Sequence, residues 1–281
     1  MHYDILITGA TGFIGSNLVK FYKDKKILLI TRRNFKIKSK LVKKLYYKNF
    51  RDLSTKLKKI KADKVIHCAT HYSKNHNLDE IENMLRANIL LGNILLELSV
   101  KMRVKKFINI SSIWEKSHIN SPNDINLYTL TKYMFSEVIK FYSYRYKSIK
   151  FFTLYLPDTF GENDKRVKLM NVLKKSIKTQ KKVLIVSKNL MINMLNVKDV
   201  ISSIDLVEKK NLKAGNYLIC NNKNTNISAV LKKFNSLSKK KINYKFLGQK
   251  KIITKMPRVK KLPRLNIKFS HDSDIINYLK N

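Results

Sequence analysis

The apolar positions of this chain follow two periods. Short continuous runs stand at residues 3–8, 27–30, 65–68, 107–110 and 151–156, and such runs between turn residues predict strands buried on both faces. Between them the spacing lengthens to that of a helix, as at Ile81, Leu85, Ile89, Leu91, Leu95 and Leu98 within 79–100, and again over 128–145. A weaker strand is predicted near 45–47 and a Lys-rich helix at 53–61. Strands alternating with helices predict an α/β fold, a doubly wound parallel sheet whose ligands gather beyond the carboxyl ends of its strands.

Beyond Pro157 the alternation loosens. Helices are predicted at 166–178, at 198–208, from 228 and at 272–280, with short strand-like pieces at 182–186, 192–195 and 216–220 and a basic, loop-like tail at 250–268. The expected division is a sheet domain over residues 1–160 and a smaller lobe over 161–281, partly interleaved with it. No apolar run reaches the roughly 18 residues of a membrane span. The start, Met1-His2-Tyr3-Asp4, lacks the features of a secretory signal. Cys68 and Cys220 are too few for a disulfide framework or a cysteine-based metal site. A cytoplasmic enzyme or binding protein without a metal is the expectation.

A glycine turn follows the first strand directly: Thr8-Gly9-Ala10-Thr11-Gly12-Phe13-Ile14-Gly15. The chain has only 7 Gly in 281 residues, and three at this spacing between a strand and a helix predict the phosphate cradle of the Rossmann arrangement. Gly9 serves the tight turn, Gly12 the close approach of backbone N–H groups to a pyrophosphate, and Gly15 the packing of helix on strand, with Thr11, Phe13 and Ile14 completing the cradle. At the end of the second strand an acid would hold the ribose hydroxyls of NAD, whereas an Arg suits the 2′-phosphate of NADP. The chain has Arg32-Arg33 there, two of only nine Arg. NADPH is therefore expected, with NAD as the alternative.

Charge invites another reading. Lys+Arg 59 against Asp+Glu 19 give a formal net charge of +40. Fifty of those cations are Lys, scattered along the whole length rather than gathered with Arg forks and aromatic platforms. That is the signature of an AT-biased genome, so no specific nucleic-acid partner is expected, although the field would draw in a polyanion such as a nucleotide-linked substrate.

The same excess of Lys makes Tyr-x-x-x-Lys a weak motif; it occurs at Tyr22/Lys26, Tyr128/Lys132 and Tyr146/Lys150. Position separates the three. Only Tyr128 opens a helix just after a strand ending Ile110-Ser111-Ser112. Residues four apart share a helix face, so Lys132 can sit beneath the phenol and Ser112 can meet both.

Together these features resemble the extended short-chain dehydrogenase/reductases of the NAD-dependent epimerase/dehydratase family. The resemblance runs over nearly the whole chain, through Thr8–Gly15, Asp52-Leu53, His67–Thr70, Asn88, Ser111-Ser112, Tyr128–Lys132, Leu154–Gly161 and Asn193–Val200. Within that family it is similar to reductases of nucleotide-linked 4-keto-6-deoxy sugars, the building blocks of surface polysaccharides. Ser111-Ser112-Ile113-Trp114, the short spacing to Asn126-Leu127-Tyr128, and the run from Phe160 to Arg166 carry that narrower likeness.

The resemblance implies roles. Tyr128 is the proton donor, its pKa lowered by Lys132, which also holds the nicotinamide ribose; Ser112 orients the carbonyl. Asp52 and Leu53 correspond to the pair that reads the adenine, although Asp52 is equally a solvated loop acid. Ala69, Thr70 and Pro157 line the cofactor; Asn88 either braces the active-site backbone or is simply a polar helix residue; Trp114 and Asp158 border the sugar pocket, although the chain's one Trp is equally a core residue. Many members carry an Arg for the substrate pyrophosphate where Ile192 stands, which leaves Arg166 or Arg264 to supply that charge. Family dehydratases have an Asp-Glu pair after the Ser/Thr; Ile113-Trp114 stand there instead, which argues against dehydration, and Glu115, one residue late, is given no role. His67 and His71 read as packing or surface residues and Asp199 as a helix cap. Three functions stay open: a reductase using NADPH, an epimerase with tightly held NAD, and a non-catalytic dinucleotide- or RNA-associated protein. A homodimer through 79–100 and 128–145 is implied by the family.

Overall fold

The computed structural model describes residues 1–33, 35, 37, 39–119, 126–250, 252–253, 262–265 and 272–280; most of the tail expected as basic loop lies outside them. Seven strands, β1 (His2–Thr8), β2 (Ile27–Thr31), β3 (Val42–Tyr46), β4 (Lys61–His67), β5 (Lys106–Ser112), β6 (Lys150–Leu156) and β11 (Gly215–Leu218), form one sheet in the order β11-β6-β5-β4-β1-β2-β3. Every neighbouring pair is parallel. Strands β1, β2, β5 and β6 are buried over nearly their whole length, which is why their sequences are apolar without alternation, whereas the edge strands β3 and β11 are largely exposed or half-buried.

One face is packed by α2 (Phe50–Leu57), α4 (Leu91–Met102) and α5 (Leu127–Arg145), through Leu53, Leu95, Phe135 and Ile139 against Leu6, Val65, Phe107 and Phe151. The other is packed by α1 (Phe13–Phe21) and α7 (Val197–Lys209), through Leu18, Val200 and Ile204 against Ile5, Ile66, Ile108 and Phe152. Of residues 161–281, then, α7 and β11 belong to the sheet body. The remaining elements build a second core around Phe160, Met170, Leu173, Ile192, Leu231 and Phe234. They are β7 (Asp158–Phe160) paired with β10 (Met194–Asn196), β8 (Val183–Ile185) with β13 (Tyr244–Phe246), and β9 (Leu190–Ile192) with β12 (Thr225–Asn226) and β14 (Ile252–Ile253). Helices α6 (Leu169–Thr179), α8 (Ile227–Leu237) and α9 (Asp272–Lys280) complete that lobe.

The abundant Asn has a structural use. Asn49, Asn77, Asn126, Asn196 and Asn226 each stand in extended backbone before a helix and accept a bond from a first-turn N–H, at α2, α3 (Leu78–Leu85), α5, α7 and α8. Asp199 is thus not the cap of its helix. Asn196 holds that place, and Asp199 lies buried in the first turn.

The helix expected over 79–100 is interrupted. Between α3 and α4, residues Arg86–Leu90 form a π-helical turn, a widened turn that admits one extra residue. After it Gly92 meets α5 so closely that an added Cβ would lie 2.3 Å from the Phe135 ring. Gly92→Ala is expected to destabilise the fold by about 1–3 kcal/mol through overpacking, read as a lower midpoint in chemical denaturation.

Candidate active site

The glycine turn sits where the sheet order reverses, between β1 and β4. Gly9 has φ +73°, and a Cβ there would meet the backbone of Cys68 and Ala69 at 2.7 Å. A Cβ on Gly15 would lie 2.1 Å from the Gly9 carbonyl oxygen. Both positions exclude any side chain. Gly12 differs: it is exposed, its N–H donates to the Gly9 carbonyl at 2.9 Å, and an added Cβ would meet only that carbonyl, at 3.2 Å. A smooth backbone cradle at the start of α1, open on its outer side, fits the pyrophosphate of a dinucleotide. Thr11 is exposed on this turn, whereas Phe13 is buried and Ile14 half-buried.

Arg32 and Arg33 lie exposed past the end of β2 and, with Thr31, Lys44 and Tyr46, line a cavity of about 510 Å³. The Thr31 hydroxyl accepts from the Arg33 N–H at 3.0 Å and donates to the Arg33 carbonyl at 2.9 Å, which sets the turn carrying both guanidiniums. Lys44 arrives from β3, its ammonium donating to the Phe35 carbonyl. Three cations around one cavity suit a phosphate. Asp52 is drawn into its own helix start instead: its carboxylate accepts from the Lys48 N–H and the Lys56 ammonium, both at 2.9 Å, and those contacts hold it below the usual carboxylate range. Leu53 is fully buried in the core beneath it.

At the carboxyl ends of β4 and β5 the remaining residues converge. Asn88, set in the π turn and buried, is a four-way brace. Its carbonyl oxygen accepts from the Thr70 hydroxyl at 2.9 Å and the His71 N–H at 2.7 Å. Its amide donates to the His71 carbonyl and the Thr131 hydroxyl, each at 2.9 Å. The widened turn is what brings this side chain inward, tying the Ala69-Thr70 segment to α5.

Lys132 is buried on α5, and its ammonium donates to the Ile110 carbonyl at 2.9 Å, two residues before Ser112. Ser112 is half-buried at the strand end, where its hydroxyl oxygen accepts from the Trp114 N–H at 3.4 Å. Tyr128 opens α5 one turn before Lys132, and the Tyr72 ring meets its ring edge-on at 5.1 Å.

The phenol of Tyr128 departs from expectation. Burial pushes it up to about 12, with a further rise from Glu115; a hydrogen bond with Thr70 and the charge of Arg166 pull the other way. The sequence suggests a pKa lowered by Lys132, but the ammonium is turned onto the Ile110 carbonyl and desolvation prevails.

The segment after β6 closes the site. Pro157 is buried and Asp158 half-buried, with the Lys168 ammonium 3.8 Å from the Asp158 carboxylate and 5.6 Å from the Tyr72 ring centre. Arg166 is already engaged. It donates to both Asp164 carboxylate oxygens at 2.7 and 2.8 Å and to the Thr159 carbonyl at 2.8 Å, while its guanidinium lies 4.3 Å from the Phe13 ring centre. Arg264 donates to the Asn222 side chain at 3.2 Å, beside β11. Among the described residues no cluster of His, Cys, Asp and Glu could hold a metal ion, and no helix is long and apolar enough to cross a membrane.

His67 is a packing residue. It is buried against Phe135 and Phe107, with Nδ1 2.8 Å from the Thr8 hydroxyl. Burial, reinforced by Lys132, takes it from 6.5 to about 3. Its folded form therefore refuses a proton that the unfolded chain accepts, so stability should fall as pH drops through that window. In His67→Gln the acid-limb loss of stability is expected to be smaller, by up to about 4 kcal/mol at the lowest pH, measured as denaturant midpoints against pH.

With this geometry in place, the comparisons with known proteins fall into line. A CDP-abequose synthase of Salmonella muenchen is 26% identical over 215 residues, covering 76% of this chain and 72% of that one. The structure of MoeE5 in complex with UDP-glucose and NAD superposes with a TM-score of 0.78 at 17% identity, over 99% of this chain and 97% of that one. A UDP-glucuronic acid 4-epimerase from Bacillus cereus in complex with NAD gives a TM-score of 0.75 at 21% identity, over 100% and 99% of the two chains. The family description that matches residues 5–220 is that of the NAD dependent epimerase/dehydratases, and the chain belongs to that family.

Proposed function

We propose that this protein is an NADPH-dependent reductase of the 4-keto group of a nucleotide-linked 6-deoxyhexose. The observation that carries the reading is the grouping at the end of β5: Ser112 at the strand tip, with Lys132 bonded to the carbonyl two residues before it and Tyr128 one turn away. A reduced nicotinamide dinucleotide held by the Gly9–Gly15 turn would supply the hydride. The chain's own groups deal with the oxygen that receives the charge. Tyr128, a phenol at neutral pH, is the proton donor at that oxygen. Ser112 accepts from the Trp114 N–H, a contact that leaves its hydroxyl hydrogen to donate to the same oxygen and orient it. Lys132 keeps the strand end in place and offers its remaining ammonium hydrogens toward the ribose.

Three features support the finer assignment. Arg32, Arg33 and Lys44 around one cavity favour a cofactor with a 2′-phosphate. Ile113 and Trp114 leave no acid pair next to Ser112 for dehydration. The curated relatives matched are named CDP-abequose synthases. A homodimer through α4 and α5 belongs to the same reading, because Leu90, Leu130, Met134 and Phe141 are exposed on or beside those helices.

Purified protein titrated with NADPH and NADH, then given CDP-, dTDP- and GDP-linked 4-keto-6-deoxy sugars, should consume NADPH. Tyr128→Phe should lower the rate by about 10²–10⁴-fold. Reduction needs the protonated phenol, so its rate should hold into the alkaline range, while the reverse oxidation should rise with pH. Arg32→Ala with Arg33→Ala should weaken NADPH binding by about 10–100-fold and leave NADH binding nearly unchanged. Protein that arrives with NAD already bound and consumes no reduced cofactor would instead be an epimerase.

A further inference from the structure

Glu115 has no part in the chemistry above, yet its side chain is fully buried. It belongs to the 3₁₀ turn Ile113–Ile119 that follows β5. The Ser111 hydroxyl donates to its Oε2, and its Oε1 lies 3.4 Å from the Lys116 ammonium. Lys116 is itself 13% exposed and its ammonium rests 4.6 Å from the Tyr155 ring centre. Lys132 grips the adjacent residue, donating to the Ile110 carbonyl at 2.9 Å. Two buried charges of opposite sign therefore hold Ile110 and Ser111, the residues that lead into Ser112.

An isolated ammonium in this position would tend to shed its proton. Burial does drive Lys132 that way, and Glu115 is the largest influence against it, ahead of Cys68.

We propose that Glu115 is a positioning residue of the active site: fully buried, it accepts from Ser111 and, as the counter-charge to Lys132 on the adjacent residue, fixes the strand end that presents Ser112. The roles of Ser112 and Lys132 rest on the reductase reading; the clamp is a property of the chain alone.

The groups around Lys132 and Tyr128 make a pH test clean. From the end of β4 come His67, neutral above about 3, and Cys68, a thiol up to about 12. From α5 comes Tyr128, a phenol up to about 12; from β6 comes Tyr155, pushed up by burial and then by Glu115; from the segment after β7 comes the permanently charged Arg166. Among these groups Lys132 is the one that burial moves down from the ordinary ammonium range, so the test runs over about pH 6 to 10.

Thermal unfolding of wild type, Glu115→Gln and Glu115→Gln/Lys132→Met should be followed across that range, with NADPH titrations of the first two in the same buffers. Glu115→Gln should lower Tm by roughly 5–10 °C at neutral pH. The gap should narrow as pH rises, because the unpaired Lys132 loses its proton in the folded chain before it would in the unfolded one. In the double variant that narrowing should vanish. The alkaline fall in NADPH affinity should come at lower pH in Glu115→Gln than in wild type. A gap independent of pH overturns the proposal, as does a narrowing that survives Lys132→Met, which would place the coupled charge on Lys116. If wild type binds no nicotinamide dinucleotide, the reductase reading fails, while the unfolding curves still decide on Glu115.

Discussion

The crevice at the head of the sheet exists because two glycines leave it unfilled. At Gly9 the β1 backbone comes within contact of Cys68 and Ala69 of the neighbouring strand end, and at Gly15 helix α1 comes down onto Gly9 itself. Any Cβ would wedge β1, α1 and β4 apart. With the three locked at backbone distance, α1 points its free N–H groups outward and the tips of β4 and β5 open onto the same space. Every other candidate residue is placed relative to that seam. Phe13 leaves the turn to stack under Arg166, and Thr8 anchors both His67 and the Ala69 N–H.

Much of this was legible in the sequence, for physical reasons that are local. A strand buried on both faces must be apolar throughout, so the runs ending at Thr8, Ile30, Cys68, Ile110 and Leu156 mark five strands of the sheet directly. A glycine turn between a strand and a helix has few other uses, and Tyr128 was separable from Tyr22 and Tyr146 because only it opens a helix after a strand end. What could not be read depends on contacts between distant segments. Lys44 reaches the Arg32/Arg33 cavity from the next strand, and one Lys among fifty carries no mark of that. Asn88 looks like any polar helix residue until the π turn brings it inward. Arg166, expected as a candidate for the substrate pyrophosphate, spends its Nε and one terminal nitrogen on Asp164 and Thr159; the Asp two residues before it was the available signal. Glu115, given no role from the sequence, is buried by the turn after β5, with Lys116 half-buried beside it.

The excess of Lys and Asn also looks different in the folded chain. Much of it decorates the surface, but the same two residue types have been drafted into structural posts. Five Asn close helix starts. Lys106 donates to the carbonyls of Val207, Glu208 and Lys210, so one ammonium satisfies the free end of α7, where a positive charge also meets the helix dipole favourably. Lys64 reaches the buried Glu208 beside it. Lys106 and Lys64 do work here that a shorter side chain could not perform.

The π turn at Arg86–Leu90 has a consequence for how this chain can change length. One residue removed there would restore an ordinary helix, a gain in local regularity. It would also turn everything on one side of the cut by about 100°. Asn88 and Gly92 sit on either part of that turn, one facing Thr70 and Thr131, the other facing Phe135. No single helical phase serves both. The irregularity works as a phase shifter between two incompatible demands, the brace above and the tight helix crossing below, so that single-residue deletions should be rejected here.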